Sequence, residues 1–285
     1  MQMRIIPILV GMAVTAGTAA AATAPTRHVV AAFYPVAYAA QVIGGSSVSV
    51  TNLTPAGAEP HDIELKPSDV NTIDHAQLVL YLGEGFQPAV EKAVKSAHVL
   101  AIDMLAGQTL ATRKIEGKVG LDPHVWLDPL RYAQMARTIG KALHQPRAAG
   151  RFVQRLQALD KTYRTGLAHC RRKVIITSHA AFGYVAQRYG LIQLALEGLS
   201  PEAEPSPRAL ADLVSAVRRS GATTVFFETL VSPKLAQTVA REAHVTTAVL
   251  DPIEGLTPDA LKTGATYFTV MGRNLAALRR SLGCK

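Results

Sequence analysis

The sequence predicts an α/β fold of two (βα)-type lobes, each with a parallel four-stranded sheet, joined by a single long rigid helix. Three observations carry this. Short β-branched or apolar runs alternate with helical patterns in both halves of the chain. The alternation is interrupted once, by a long amphipathic stretch over 147–169. The chain's 285 residues suffice for two cores, and 48% hydrophobic against 18% charged residues is a globular balance.

The first element is not expected to belong to the fold. Met1–Arg4 carries one positive charge, Ile5–Val14 is apolar, and Ala20-Ala21-Ala22 and Ala22-Thr23-Ala24 both satisfy the small-residue rule for signal cleavage. These features predict a signal peptide over 1–24. The apolar run falls short of the ~20 residues that span a bilayer. No Cys follows it to take a lipid, so a soluble, periplasmic protein is expected.

The N-terminal lobe is expected over 25–146. Its strand-like runs are His28–Phe33, Val48–Leu53, Leu78–Leu82 and His98–Ile102, with helical patterns at Ala37–Ile43, Pro67–His75 and Gln87–Ser96. The connecting helix follows over 147–169, where Phe152, Leu156, Leu159, Tyr163 and Leu167 recur at spacings of four and three and define one apolar face. The C-terminal lobe is expected over 170–285. Its runs are Lys173–Thr177, Ile192–Leu196, Thr224–Phe227 and Thr247–Leu250, separated by helical stretches at Ala181–Tyr189, Arg208–Ser220 and Ser232–Ala243.

The formal net charge is +9, yet Lys and Arg are scattered and no basic stretch is interleaved with aromatics. A solvated surface is the better reading, and no nucleic-acid partner is expected. The two cysteines, Cys170 and Cys284, form an even count in an exported chain and predict one disulfide. Neither has a Cys or His at zinc-finger spacing.

Nine histidines are present, and six of them sit at strand starts, helix ends or charged faces. The remaining three sit elsewhere. His61 follows the second strand in Glu59-Pro60-His61-Asp62. His124 lies in Asp122-Pro123-His124-Val125-Trp126-Leu127-Asp128-Pro129, stiffened by two prolines and the chain's single Trp. His179 ends the strand Val174–Thr177 and opens a helix. A carboxylate, Asp251, closes the strand Thr247–Leu250. Loops beyond the carboxyl ends of parallel strands are where such folds hold ligands. Two of the four come from each half, so one ion bound by all four would cross-link the lobes. Three imidazoles and one carboxylate form a nitrogen-dominated set that suits Zn²⁺, whereas Mn²⁺ prefers oxygen ligands. Four protein ligands leave no open position for a reacting water, which points to binding and not to an enzyme.

The segment Glu59–Asp69 resembles the first ligand loop of the zinc- and manganese-binding proteins of ABC importers (the cluster A-I, or cluster 9, solute-binding family). So do Asp122–Pro129, Thr177–Tyr184, Phe227-Glu228-Thr229 and Leu250–Leu256. The five segments occur in the family's order and cover almost the whole mature chain. The resemblance implies a metal between two lobes, held by His61, His124, His179 and Asp251. His at the third position, where manganese members carry Glu, favours the zinc branch. Glu59 and Glu228 are candidates to support an imidazole, and Glu59 also to supplement the ligands.

The function so implied is capture of one Zn²⁺ per chain by a monomer. Its partners would be a permease and, through it, a cytoplasmic ATPase. Met104–Gly120, where many Gram-negative members carry a His-rich loop, contains no His, so either this protein does without that loop's buffering role or a separate periplasmic metallochaperone supplies the ion as a further partner. The alternatives are Mn²⁺ or Fe²⁺ as cargo, a zinc-dependent hydrolase, or an adhesin. The hydrolase lacks a His-Glu-x-x-His spacing, and no surface patch points to the adhesin.

Overall fold

A computed structural model describes residues 26–115, 118–201 and 206–285. The signal peptide expected over 1–24 lies outside the described residues. The chain forms two parallel four-stranded sheets and one small antiparallel hairpin.

The first sheet has β1 (Arg27–Ala31), β2 (Val48–Asn52), β3 (Leu78–Tyr81) and β4 (Ala101–Asp103) in the order β2-β1-β3-β4. Val29 and Val30 of β1 and Leu78, Val79 and Leu80 of β3 are fully buried. Such runs are unbroken by polar residues because helices cover both faces of a parallel sheet. The crossovers are α1 (Tyr34–Gly44), α2 (Pro67–Asp74) and α3 (Pro88–Ser96).

After β4 the chain makes the hairpin of β5 (Thr112–Ile115) and β6 (Lys118–Leu121), with Thr112 opposite Leu121. It then enters α4 (Pro129–Ala142), whose first turn is capped by Asp128. The carboxylate accepts the backbone N–H groups of Leu130 and Arg131, and Pro129 occupies the position that needs no donor. Next comes α5 (Pro146–Leu167), 22 residues and about 33 Å long. Phe152, Leu156, Tyr163 and Leu167 of α5 are buried, along the face that the sequence periodicity marks out.

The second sheet contains β7 (Val174–Thr177), β8 (Ile192–Ala195), β9 (Thr224–Phe227) and β10 (Thr246–Val249) in the order β10-β9-β7-β8. Its helices are α6 (Gly183–Tyr189), α7 (Pro207–Ser220) and α8 (Lys234–Ala243); α9 (Pro258–Lys262) and α10 (Tyr267–Leu282) follow β10. One extended core runs from the first sheet through α4, α5 and α10. A smaller one gathers Ile176, Val217, Val225 and Val239 beneath α7 and α8.

Three contacts lock the halves together near the strand ends. The Trp126 indole donates to the Pro252 carbonyl at 2.8 Å, the Tyr267 hydroxyl donates to the Trp126 carbonyl at 2.7 Å, and the Gly57 N–H donates to Leu256 O at 3.0 Å. A disulfide joins Cys170, just before β7, to Cys284 at the end of α10.

Candidate metal centre

Four side chains converge where the carboxyl ends of the two sheets meet. They are His61 from the loop after β2, His124 from the turn before α4, His179 from the end of β7 and Glu254 from the loop after β10. One ligand atom from each lies within 4.8 Å of every other. Nothing else among the described residues groups three or more His, Cys, Asp or Glu in this way.

The Glu254 carboxylate is the hub. Its Oε1 lies 3.5 Å from His61 Nε2, 3.2 Å from His124 Nε2 and 3.3 Å from His179 Nε2. The side chains of His124, His179 and Glu254 are wholly shielded from solvent and that of His61 is 6% exposed. The Phe86 ring stands edge-on to His61 at 4.6 Å, and Trp126 lies 5.2 Å from His124. Four polar groups therefore point at one another inside an apolar wall.

Two of the imidazoles are held from behind by carboxylates. Asp122 Oδ1 accepts both the backbone N–H of His124, at 3.0 Å, and its Nδ1, at 2.9 Å. Glu228 Oε1 does the same for His179, at 3.2 and 2.7 Å. A carboxylate can only accept here, so each Nδ1 carries the hydrogen, and in the neutral form of the ring the lone pair of Nε2 turns towards the cluster. This is how a protein fixes the tautomer and the aim of a metal-ligating histidine.

The electrostatics follow from burial and from this crowding. Burial alone would lower His179, but Glu228 and Glu254 override it and hold it well above the ordinary imidazole range. His124 is raised for the same reason, with Asp122 and Glu254 outweighing burial. His61, with no carboxylate of its own behind it, is lowered by burial despite Glu254. Burial would raise Glu254, yet the three imidazoles hold it well below the usual carboxylate range. Glu59 is pushed up to about 8 by burial and then by the charge of Glu254. One Glu59 oxygen accepts the His61 N–H at 3.2 Å, and the other is buried without a partner.

Of the expected ligands, His61, His124 and His179 are brought together with Glu254, and Asp251 is not. Asp251 stands outside the cluster because its carboxylate is otherwise engaged. It accepts the Ile253 N–H at 2.7 Å and the Thr229 hydroxyl at 2.9 Å, while its backbone pairs with the Asn274 side chain. These bonds stabilise a tight reversal at Ile253, whose φ of 57° is rare for a β-branched residue. The reversal delivers Glu254 into the cluster. Burial, partly offset by those hydrogen bonds, raises Asp251 to about 6.

Sequence reasoning did not single out Glu254 or Asp122. Glu254 sits five residues past the end of β10, beyond a turn that no periodicity reveals. Asp122 was in view in Asp122-Pro123-His124, two residues before a candidate ligand.

Fold and site together define a class: α/β proteins of two parallel sheets with a buried His₃Glu centre where the strand ends of both sheets meet. Within it, this chain belongs to the family described as zinc-uptake complex component A periplasmic (ZnuA), which matches residues 29–281. It is 35% identical over 277 residues to the zinc-binding lipoprotein AdcA of Streptococcus pneumoniae, covering 89% of this chain and 55% of that protein. The chain thus spans about half the length of the AdcA relatives it matches. It is 33% identical over 278 residues to the high-affinity zinc uptake system protein ZnuA of Bacillus subtilis, covering 90% and 87%. Among solved structures it is similar to the Zn(II)-bound ZnuA-like domain of S. pneumoniae AdcA, with a TM-score of 0.78, 35% identity, and 90% and 99% of the two chains covered.

Proposed function

We propose that this protein captures a single Zn²⁺ ion outside the cytoplasm and delivers it to an ABC-type importer. The observation that carries this is the cluster itself: three imidazole nitrogens and one carboxylate oxygen mutually within 4.8 Å, buried and pre-aimed. A nitrogen-dominated set with a single carboxylate suits Zn²⁺ better than Mn²⁺. The names of the relatives, zinc-binding and zinc uptake, agree with it.

In this reading His61, His124, His179 and Glu254 are the ligands, and Asp122 and Glu228 orient two of them. Glu59 is a reserve carboxylate beside the ion. The lobes are residues 25–146 and 170–285, with 147–169 as a rigid connector that limits closure to small movements. A free periplasmic form follows cleavage of residues 1–24. The permease docks the loaded protein, the cytoplasmic ATPase drives transport, and a metallochaperone supplies the ion. No chemical step is involved, so the protein is not an enzyme.

The test is metal competition on the demetallated protein. Equimolar Zn²⁺ and Mn²⁺ are added, unbound metal is removed by gel filtration, and both are read by mass spectrometry beside the His179→Ala variant. One Zn²⁺ per chain, little Mn²⁺ and loss of zinc in the variant are expected. Retained Mn²⁺ would assign the protein to manganese uptake. No tightly held metal would overturn the site.

A further inference from the structure

The two carboxylates behind the imidazoles are not equivalent. Among the described residues Glu228 is paired with no Lys or Arg, whereas Asp122 is: Arg113 Nε donates to Asp122 Oδ2 at 3.1 Å. Asp122 thus accepts Arg113 through one oxygen and both the backbone and ring of His124 through the other. A continuous chain of charge-assisted hydrogen bonds runs from β5 to the Nε2 atom that faces the cluster.

The surroundings hold this chain in register. The Tyr184 hydroxyl accepts the Ala111 N–H at 3.0 Å and donates to the Asp122 carbonyl at 2.7 Å, which ties the base of the hairpin to α6. The Arg113 guanidinium lies against the Tyr184 ring, 5.9 Å from its centroid. Gly183, the first residue of α6, lets the pair pass. A Cβ there would overlap the Arg113 guanidinium and lie 2.8 Å from Asp122 Oδ2. Gly183 stands in the segment Thr177–Tyr184 that also carries His179, so one short stretch supplies one ligand and makes room for the support of another.

We propose that Arg113 is a positioning residue for metal capture: by anchoring Asp122 it fixes the tautomer and aim of His124, and Gly183 is required for that contact. The inference rests on the zinc-capture reading above and deepens it. Two independent strokes break the relay. Arg113→Gln removes the charge. Gly183→Ala keeps every charge but crowds both the Arg113 guanidinium and the buried Asp122 carboxylate, so it perturbs the contact from the other side.

The experiment measures zinc affinity of wild type, Arg113→Gln, Arg113→Lys and Gly183→Ala by competition with a chromophoric chelator. The Co²⁺-loaded forms are compared by their visible d–d spectra, and the metal-free forms by thermal melting. Loss of a metal site's outer hydrogen-bond partner typically weakens binding about 10- to 100-fold. That loss is expected for Arg113→Gln and Gly183→Ala, with altered Co²⁺ bands, near-unchanged metal-free melting, and partial recovery in Arg113→Lys. Affinities of both disrupted variants within about threefold of a wild type that binds one zinc would overturn the relay and leave zinc capture standing. A wild type without tight zinc would overturn both. Should Arg113→Gln fail to fold, Arg113→Met, which also removes the charge, decides in its place, because Gly183→Ala touches Asp122 directly.

Discussion

His124 and His179 bring their Nε2 atoms to within 3.2 Å of each other across the junction of the two halves. Each ring donates its Nδ1–H to a carboxylate behind it, so in their neutral forms two lone pairs face one another beside the anionic Glu254. Such a set of acceptors demands a cation, either protons shared among the rings or a metal ion that takes all the lone pairs at once. The metal wins where protons are scarce and the ion has the right softness.

Glu254 and Asp251 have different jobs, and substitution separates them. Glu254→Ala removes a ligand and a buried charge, so zinc affinity is expected to fall by more than about tenfold. Asp251→Ala leaves the Ile253 N–H buried without its acceptor and releases Thr229, at a cost of about 1–3 kcal/mol in folding stability. Urea unfolding of the two metal-free proteins checks this. The larger stability loss belongs to Asp251→Ala and the larger affinity loss to Glu254→Ala.

The metal-free and zinc-loaded proteins are expected to respond oppositely to pH. In the metal-free fold His124 and His179 are raised, Asp251 is raised to about 6 and Glu59 to about 8. Each of these groups holds its proton more firmly folded than unfolded. For the two imidazoles the added stability is full below their ordinary values and is lost as pH rises through the raised ones. For the two carboxylates, ionisation of the buried group costs stability as pH rises above the ordinary value. His61, lowered by burial, and Glu254, held low by the imidazoles, work in the opposite sense; Glu254 acts mainly below its ordinary value, so within pH 5 to 8 His61 is the main opposing group and is outnumbered. Melting of the metal-free protein between pH 5 and 8 should therefore shift to lower temperature as pH rises. Zinc displaces protons, so its affinity and the stabilisation it confers should grow over the same range.

Much of this fold was legible in the residues. All eight predicted strand runs overlap strands of the two parallel sheets, because buried parallel strands are written as apolar β-branched runs bounded by turn residues. The hairpin was not foreseen. Thr112-Arg113 and Lys118 interrupt any apolar run, and the base of the hairpin is held by Tyr184, which bonds the Ala111 N–H and the Asp122 carbonyl. Helix α4 went unread although Asp128-Pro129 is a helix-start signal, since two prolines near Trp126 suggested only a stiff loop. The three histidines were singled out from their settings: His61 past a strand, His124 in a proline-stiffened loop with the single Trp, and His179 at a strand end. The fourth expected residue, Asp251, stands outside the cluster, and Glu254 stands inside it by way of the positive φ at Ile253, a conformation that composition argues against.

The Cys170–Cys284 disulfide closes a sequence separation of 114 residues and lies at the opposite end of β7 from His179. Its reduction should lower stability by about 2–5 kcal/mol, largely by freeing the unfolded chain. Zinc affinity of the folded protein should change little. Melting with and without reductant, beside chelator competition under both conditions, measures the two effects separately.

The central claim is that His61, His124, His179 and Glu254 hold one zinc ion. Diffraction from zinc-loaded crystals on both sides of the zinc absorption edge tests it most directly. The account predicts a single anomalous peak about 2.0–2.2 Å from the three Nε2 atoms and a Glu254 oxygen, with Asp251 still bonded to Ile253 and Thr229. A peak that includes Asp251 while Glu254 turns away, or one placed elsewhere on the protein, would contradict it.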